Sequence, residues 1–287
     1  MKLSKHKLAL AILAASAVGM ASLGTAGISN TKHNLGTSGT GDTKTTAGGA
    51  LSTGEICVFC HTPHGSDTGA PVPLWNKKLP AASSFTTYDQ LGTSSLDGSV
   101  ASVGSVSLAC LSCHDGSQAM DNMINAPGSG GYAADGGGVD GRDMTWTTAS
   151  SAAGSTGKMV GGPIPMLGTD LKNDHPVGIQ YCGGGTVATS PGAIVADTDC
   201  KDKDFKDFVQ GSANTSTVWW VDTETSGNGT REKTDMQLYT RSVTGIEGGA
   251  ATPFVECASC HDPHTEVATF LRVVNTGSAV CLACHDK

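Results

Sequence analysis

The chain is short of the side chains from which soluble proteins build a core. Aromatic residues make up 5% of its 287 positions and apolar residues 38%. Long runs with a helical or strand period are missing, so ordinary core-building elements are not indicated. A basic footprint is missing too. The 18 lysines and arginines face 26 aspartates and glutamates, for a formal charge of −8, which argues against nucleic acid as a partner. Apolar stretches able to span a bilayer are also missing; the run from Leu8 to Val18 is too short. With 39 glycines as well, such a chain reads as partly disordered unless something other than its own side chains fills the interior.

What the chain does have is cysteine and histidine in a fixed order. Of its 10 cysteines, eight lie in four C-x-x-C-H segments. These are Cys57-Val58-Phe59-Cys60-His61, Cys110-Leu111-Ser112-Cys113-His114, Cys257-Ala258-Ser259-Cys260-His261 and Cys281-Leu282-Ala283-Cys284-His285. Two cysteines three apart share one side of a helical turn. From there both sulfurs reach the two vinyl groups of one porphyrin, and the adjacent histidine lies under the iron. A lone C-x-x-C reads as a zinc site or a thioredoxin-like redox pair. The histidine after every pair points instead to four covalently bound haem c groups. Four large, flat, apolar porphyrins supply the missing core. The expected fold class is therefore a multihaem cytochrome c. It should be mostly irregular, with short helices at the C-x-x-C-H motifs and a few short β-strands around the haems.

Residues 1–26 read as a secretory signal, with Lys2, Lys5 and Lys7 before the apolar run and Gly24-Thr25-Ala26 as a cleavage site. His6 falls inside that segment and is discounted as a ligand. Losing three of the 18 basic residues leaves 15 against 26 acidic ones, or −11. The expected product is exported, extracellular or on the cell surface, or alternatively periplasmic, without a membrane anchor. Beyond the signal the chain divides into a first two-haem module at 27–116, a Gly/Ser-rich loop region at 117–174 with Trp146 as a packing anchor, and a second two-haem module at 175–287. Inside the second module, Cys182 and Cys200 are expected to form a disulfide, with two free thiols or a metal site as alternatives. Residues 217–221 and 236–240 have strand composition and suggest a hairpin. Phe270 to Val274 reads as a short strand or helix.

Without the signal segment eight histidines remain. His61, His114, His261 and His285 are proximal by motif. His33, His64, His175 and His264 are left for the opposite faces, one for each haem, so six-coordinate bis-histidine irons are expected. Met120, Met123 and Met166 are the competing ligands. His61 and His64 are three apart, as are His261 and His264. Axial ligands approach an iron from opposite faces, so two side chains of one turn must serve two different irons. The coarse repeat, with a histidine, C-x-x-C-H-x-P-H and then C-x-x-C-H in each half, suggests His64 for the second haem and His264 for the fourth. His33 and His175 would then serve the first and third. His33, near a free end, could alternatively ligate a haem in a neighbouring subunit.

Cys57 to His64 followed by Pro73-Leu74-Trp75-Asn76, together with Lys32-His33-Asn34-Leu35, Asp174-His175-Pro176-Val177 and the last motif, resembles the paired-CxxCH multihaem cytochromes. With four haems the chain is similar to the tetrahaem extracellular cytochromes that polymerise into conductive filaments, the OmcE-like group. The resemblance implies a continuous haem chain, a ligand shared between subunits, and partners that are further copies of the chain, other redox proteins or extracellular acceptors. A monomeric periplasmic carrier is the alternative. A multihaem reductase would need an open iron, and the ligand count leaves none. A purely structural surface protein would need no closely spaced haems.

Overall fold

The structure is a computed structural model. It describes residues 27–286 apart from 42, 50, 93, 95, 129, 148–155, 162–164, 175–176, 186–193 and 225–226. The signal segment and His175 therefore lie outside the described residues. Among those described, three α-helical segments occur: α1 (Ser105–His114), α2 (Cys257–Cys260) and α3 (Ala279–Leu282). Six strands form one antiparallel sheet in the order β1-β6-β5-β4-β3-β2. They are β1 (Ile179–Gln180), β2 (Ile194–Val195), β3 (Phe208–Ala213), β4 (Ser216–Val221), β5 (Met236–Ser242) and β6 (Ala251–Val255).

The two stretches with strand composition become β4 and β5, paired through Trp219 opposite Leu238 and Val221 opposite Met236. Their neighbour β3 joins β4 through Asn214 and Thr215, both at positive φ, which is the geometry a two-residue hairpin turn demands. Gly211 in β3 leaves room for the indole of Trp220; a Cβ there would lie 2.6 Å from the ring. One face of the sheet carries Phe208, Trp219, Val221, Met236 and Leu238. It packs against Tyr181, the Cys182–Cys200 pair and the side chains around Cys260, Val280 and Cys284. The sheet is thus a backing plate for the last two C-x-x-C-H motifs. Cys182 and Cys200 are disulfide-bonded, with Cα atoms 5.5 Å apart. The Tyr181 hydroxyl donates to the Lys206 carbonyl (3.1 Å) and lies 3.3 Å from that of Cys284, which ties β1 to the fourth motif.

Among the described residues, the first half contributes no strand to the sheet. Its packing is a set of small clusters, the main one built from Phe59, Met120, Met123, Met144, Trp146 and Met159 beside Cys60 and Cys113. Polar side chains do the joining. Asn76 donates to the carbonyls of Val58 (2.6 Å) and Asn125 (2.9 Å) and accepts from the Asn125 amide (2.8 Å). Lys77 is fully buried, and its Nζ donates to the carbonyls of Ala119 (3.2 Å), Met120 (2.9 Å) and Asn122 (3.2 Å). These bonds substitute for the ladder that an irregular segment lacks. Lys77→Met leaves three buried acceptors without their donor and should cost about 3 kcal/mol. Denaturant unfolding of the haem-loaded protein should show a lower midpoint at unchanged haem content; an unchanged midpoint would mean the lysine does not hold this segment.

Candidate haem centres

Each motif sits on a turn of helix. Cys57–Phe59 forms a single 3-10 turn, α1 ends on the second motif, α2 is the third, and α3 runs into the fourth. In the first, third and fourth motifs the histidine amide donates to the carbonyl of the first cysteine, at 2.8 to 3.1 Å. That closes a turn, which brings the two sulfurs to one side as the spacing requires. None of the eight motif cysteines is taken up in a disulfide.

A second segment crosses behind His61, His261 and His285 with a geometry that repeats, and another runs past His114 through the Leu167 amide and the His114 carbonyl. Asn76 and Leu74 bond to Cys60 and Thr62; Arg272 and Phe270 bond to Cys260 and Asp262; Lys206 and Asp204 bond to Cys284 and Asp286. The carbonyl presented by this segment fixes the imidazole. His61 Nδ1 donates to Pro73 O (2.7 Å), His114 Nδ1 to Pro165 O (2.8 Å) and His261 Nδ1 to Thr269 O (2.8 Å). A carbonyl can only accept, so Nδ1 carries the proton and Nε2 keeps its lone pair for a metal. His285 is packed on Phe205, with ring centres 4.2 Å apart, and its buried Nδ1 lacks such a bond.

The distal histidines are where the structure departs from the repeat. His264 faces His61, with ring centres 6.2 Å apart and planes 16° from parallel. His33 faces His114 at the same 6.2 Å, with planes 76° apart. Metal–imidazole bonds run about 2 Å and each ring centre lies about 1 Å beyond its nitrogen, so two imidazoles on one iron have centres about 6 Å apart. Both pairs fit an iron between them. The ring placement differs from the symmetry-based pairing, which gave His33 to the first haem and His264 to the fourth: His264 lies beside His61 of the first motif and His33 beside His114 of the second. The cause is that the halves interlock rather than standing as separate modules. The turn after the third motif is laid against the first, and the His33 segment against the second. His61 faces His264 and not its near neighbour His64, as opposite-face ligation demands.

Local structure explains how each distal ring is held. Asn34 is buried and donates to Ser29 O (2.9 Å), which fixes the turn that presents His33. Burial, reinforced by the nearby His114, lowers the His33 pKa to about 4, while the Pro263 carbonyl opposes the shift. The ring is therefore neutral at ordinary pH. His264 Nδ1 lies 3.5 Å from Asp262 Oδ1, and contact with His264 holds the Asp262 carboxyl well below its usual range. His64 is exposed and lines a cleft of about 740 Å³ with Cys57, His61, Asn125 and Tyr132.

The attachment cysteines follow one another in space in their sequence order. Cys60 and Cys113 pack on the same cluster. Cys110 and Cys257 lie close enough for their side chains to interact. Cys260 lies close enough to Cys281 and Cys284 for their charges to interact. Residues 252–287 match the family model of the doubled CXXCH motif. The match supports a multihaem c-type cytochrome that carries covalently bound haem c and takes part in electron transfer. No curated protein matches the sequence. The family match covers the third and fourth motifs, while the first two carry the same C-x-x-C-H spacing, one on a 3-10 turn and one at the end of α1.

Sequence reasoning missed the carbonyls of Pro73, Pro165 and Thr269, because a backbone acceptor has no residue signature. It also missed Glu256, the residue before the third motif. Glu256 is buried, caps α2, and accepts from Ser107 Oγ (2.5 Å) and Arg241 (3.1 Å). Ser107 in turn accepts from the Cys257 amide (3.0 Å), so this carboxyl fastens α1 to α2. Burial raises its pKa from 4.5 to about 7, against the pull of Ser107 and Arg241. The folded chain thus holds a proton that the unfolded chain releases, and stability should fall as pH rises from 4.5 to about 7. Glu256→Gln should flatten that slope, worth up to about 3 kcal/mol across the window. Unfolding midpoints measured at pH 5 and 7 test it, and an unchanged slope in the variant would contradict it.

Proposed function

We propose that the chain is an exported tetrahaem cytochrome, not an enzyme, whose core is four closely packed haems and whose copies assemble into an extracellular filament. The observation that supports the electron-conduit reading is the proximity of successive attachment motifs, Cys60 near Cys113, Cys110 near Cys257, and Cys260 near Cys281 and Cys284. Haem supplies reversible one-electron oxidation of its iron when bound. The residues of the chain do the rest. The eight motif cysteines hold the porphyrins, and the carbonyls of Pro73, Pro165 and Thr269 aim the proximal imidazoles. His264 and His33 close the coordination opposite His61 and His114. Closed irons favour electron transfer over substrate chemistry, which requires an open position.

For the filament, His64 is the support. His33 is half-buried, with its ring 6.2 Å from that of His114 in the same chain. His64 instead presents an exposed imidazole beside the first motif, and no ring partner for it occurs among the described residues. In the filament reading it is the ligand offered to a neighbouring copy. Acceptors are then other redox proteins or extracellular oxidants met at the filament surface. A monomeric periplasmic carrier uses the same haem row without that contact.

Electron microscopy of extracellular material should show filaments in the wild type and their loss in His64→Met at unchanged haem content. Monodisperse wild-type particles under native conditions would contradict assembly. Purified wild-type protein should be low-spin throughout and slow to bind carbon monoxide when reduced; a high-spin ferric signal would contradict closed coordination.

A further inference from the structure

The segment behind the third motif does two things at once. Thr269 and Phe270 both adopt positive φ, 56° and 58°. For a residue with a Cβ that costs about 1–2 kcal/mol each. The strain turns the Thr269 carbonyl to His261 Nδ1 (2.8 Å) and the Phe270 ring onto His33. Phe270 and His33 are stacked, with centres 4.1 Å apart and planes within 18°. The equivalent segment behind the first motif shares part of this: Pro73 O takes His61 Nδ1 and Leu74 has φ 57°, while Pro73, unlike Thr269, keeps the negative φ its ring imposes. Leu74 is largely exposed and offers no aromatic face. The positive φ is thus shared by Leu74 and Phe270 at matching positions, and the ring stacked on His33 is found at Phe270 and not at Leu74.

Building on the proposed ligation by His33 and His114, we infer that Phe270 is a positioning residue that sets the plane of His33 nearly perpendicular to His114 and so makes the second haem electronically unlike the first. Each imidazole donates π density into the iron d orbital perpendicular to its ring. Parallel rings act on one orbital and split the pair. Perpendicular rings act on different orbitals and leave the pair nearly degenerate. The 16° between His61 and His264 belongs to the first case and the 76° between His33 and His114 to the second. Ligand orientation is thereby added to ligand identity as a means of distinguishing neighbouring haems. Because Thr269 and Phe270 are adjacent, one strained turn orients ligands of two haems next to each other in the row.

Low-temperature electron paramagnetic resonance of the ferric, haem-loaded protein reads this directly. The wild type should contain both a rhombic low-spin signal with three resolved g values and a strongly anisotropic one with a single low-field feature. His33→Met should remove the anisotropic signal. If the wild type lacks it, or His33→Met leaves it intact, the ligation on which the inference rests is wrong and the inference falls with it. With that ligation upheld, Phe270→Leu should lose the anisotropic signal of one haem and gain an equal spin count of rhombic signal, at unchanged haem content. Phe270→Tyr should keep the wild-type spectrum. An anisotropic signal that survives Phe270→Leu would overturn the positioning role while leaving His33 as ligand. Should Phe270→Leu yield no haem-loaded protein, Phe270→Met reads the same signal, and its survival there overturns the inference equally.

Discussion

Two imidazoles cannot reach opposite faces of one iron from a single turn of backbone. In C-x-x-C-H-x-P-H this constraint is built into the covalent sequence, and the rest of the structure follows from it. The histidine after the proline must look elsewhere, so the turn that carries it has to lie against another haem site. The structure resolves the requirement across the whole chain. His264, from the last third, faces His61, and His33, from the first segment, faces His114. These contacts span more than 200 and 80 positions respectively, and they bind together halves that share little ordinary core.

That arrangement explains how a chain with so few large side chains has a defined fold. The work of a core is divided. A modest antiparallel sheet backs the third and fourth motifs. Buried polar groups, Asn76 and Lys77 above all, hold irregular segments to the first and second. Glu256 and Ser107 clamp the second motif to the third. Each device saturates backbone donors or acceptors that no helix or ladder would otherwise satisfy. In the proposed reading, porphyrins would supply the remaining apolar bulk, and irregular chain suffices around them.

The sequence made the chemistry legible and left the connectivity hidden. The four attachment motifs, the proximal histidines and the β4–β5 hairpin could be read from residues, because each is a local pattern with a local cause. The short strands β1, β2 and β6 could not, since two to five residues of mixed composition become strands only when a neighbour pairs with them. The partner of His264 was hidden for a deeper reason. An internal repeat suggests that each half closes on itself, and nothing in the spacing distinguishes that from exchange between halves. Phe270 reads as one apolar residue in a short run; its role depends on positive φ, which no propensity favours for phenylalanine. His175 falls outside the described residues.

The central claim is that a histidine from the C-terminal half closes the first haem. Proton nuclear Overhauser spectroscopy of the fully reduced, diamagnetic protein tests it most directly. The ring protons of His264 should show contacts to the haem whose thioether protons belong to Cys57 and Cys60. Contacts instead to the haem carried by Cys281 and Cys284 would restore the symmetric pairing and contradict the interlocked structure.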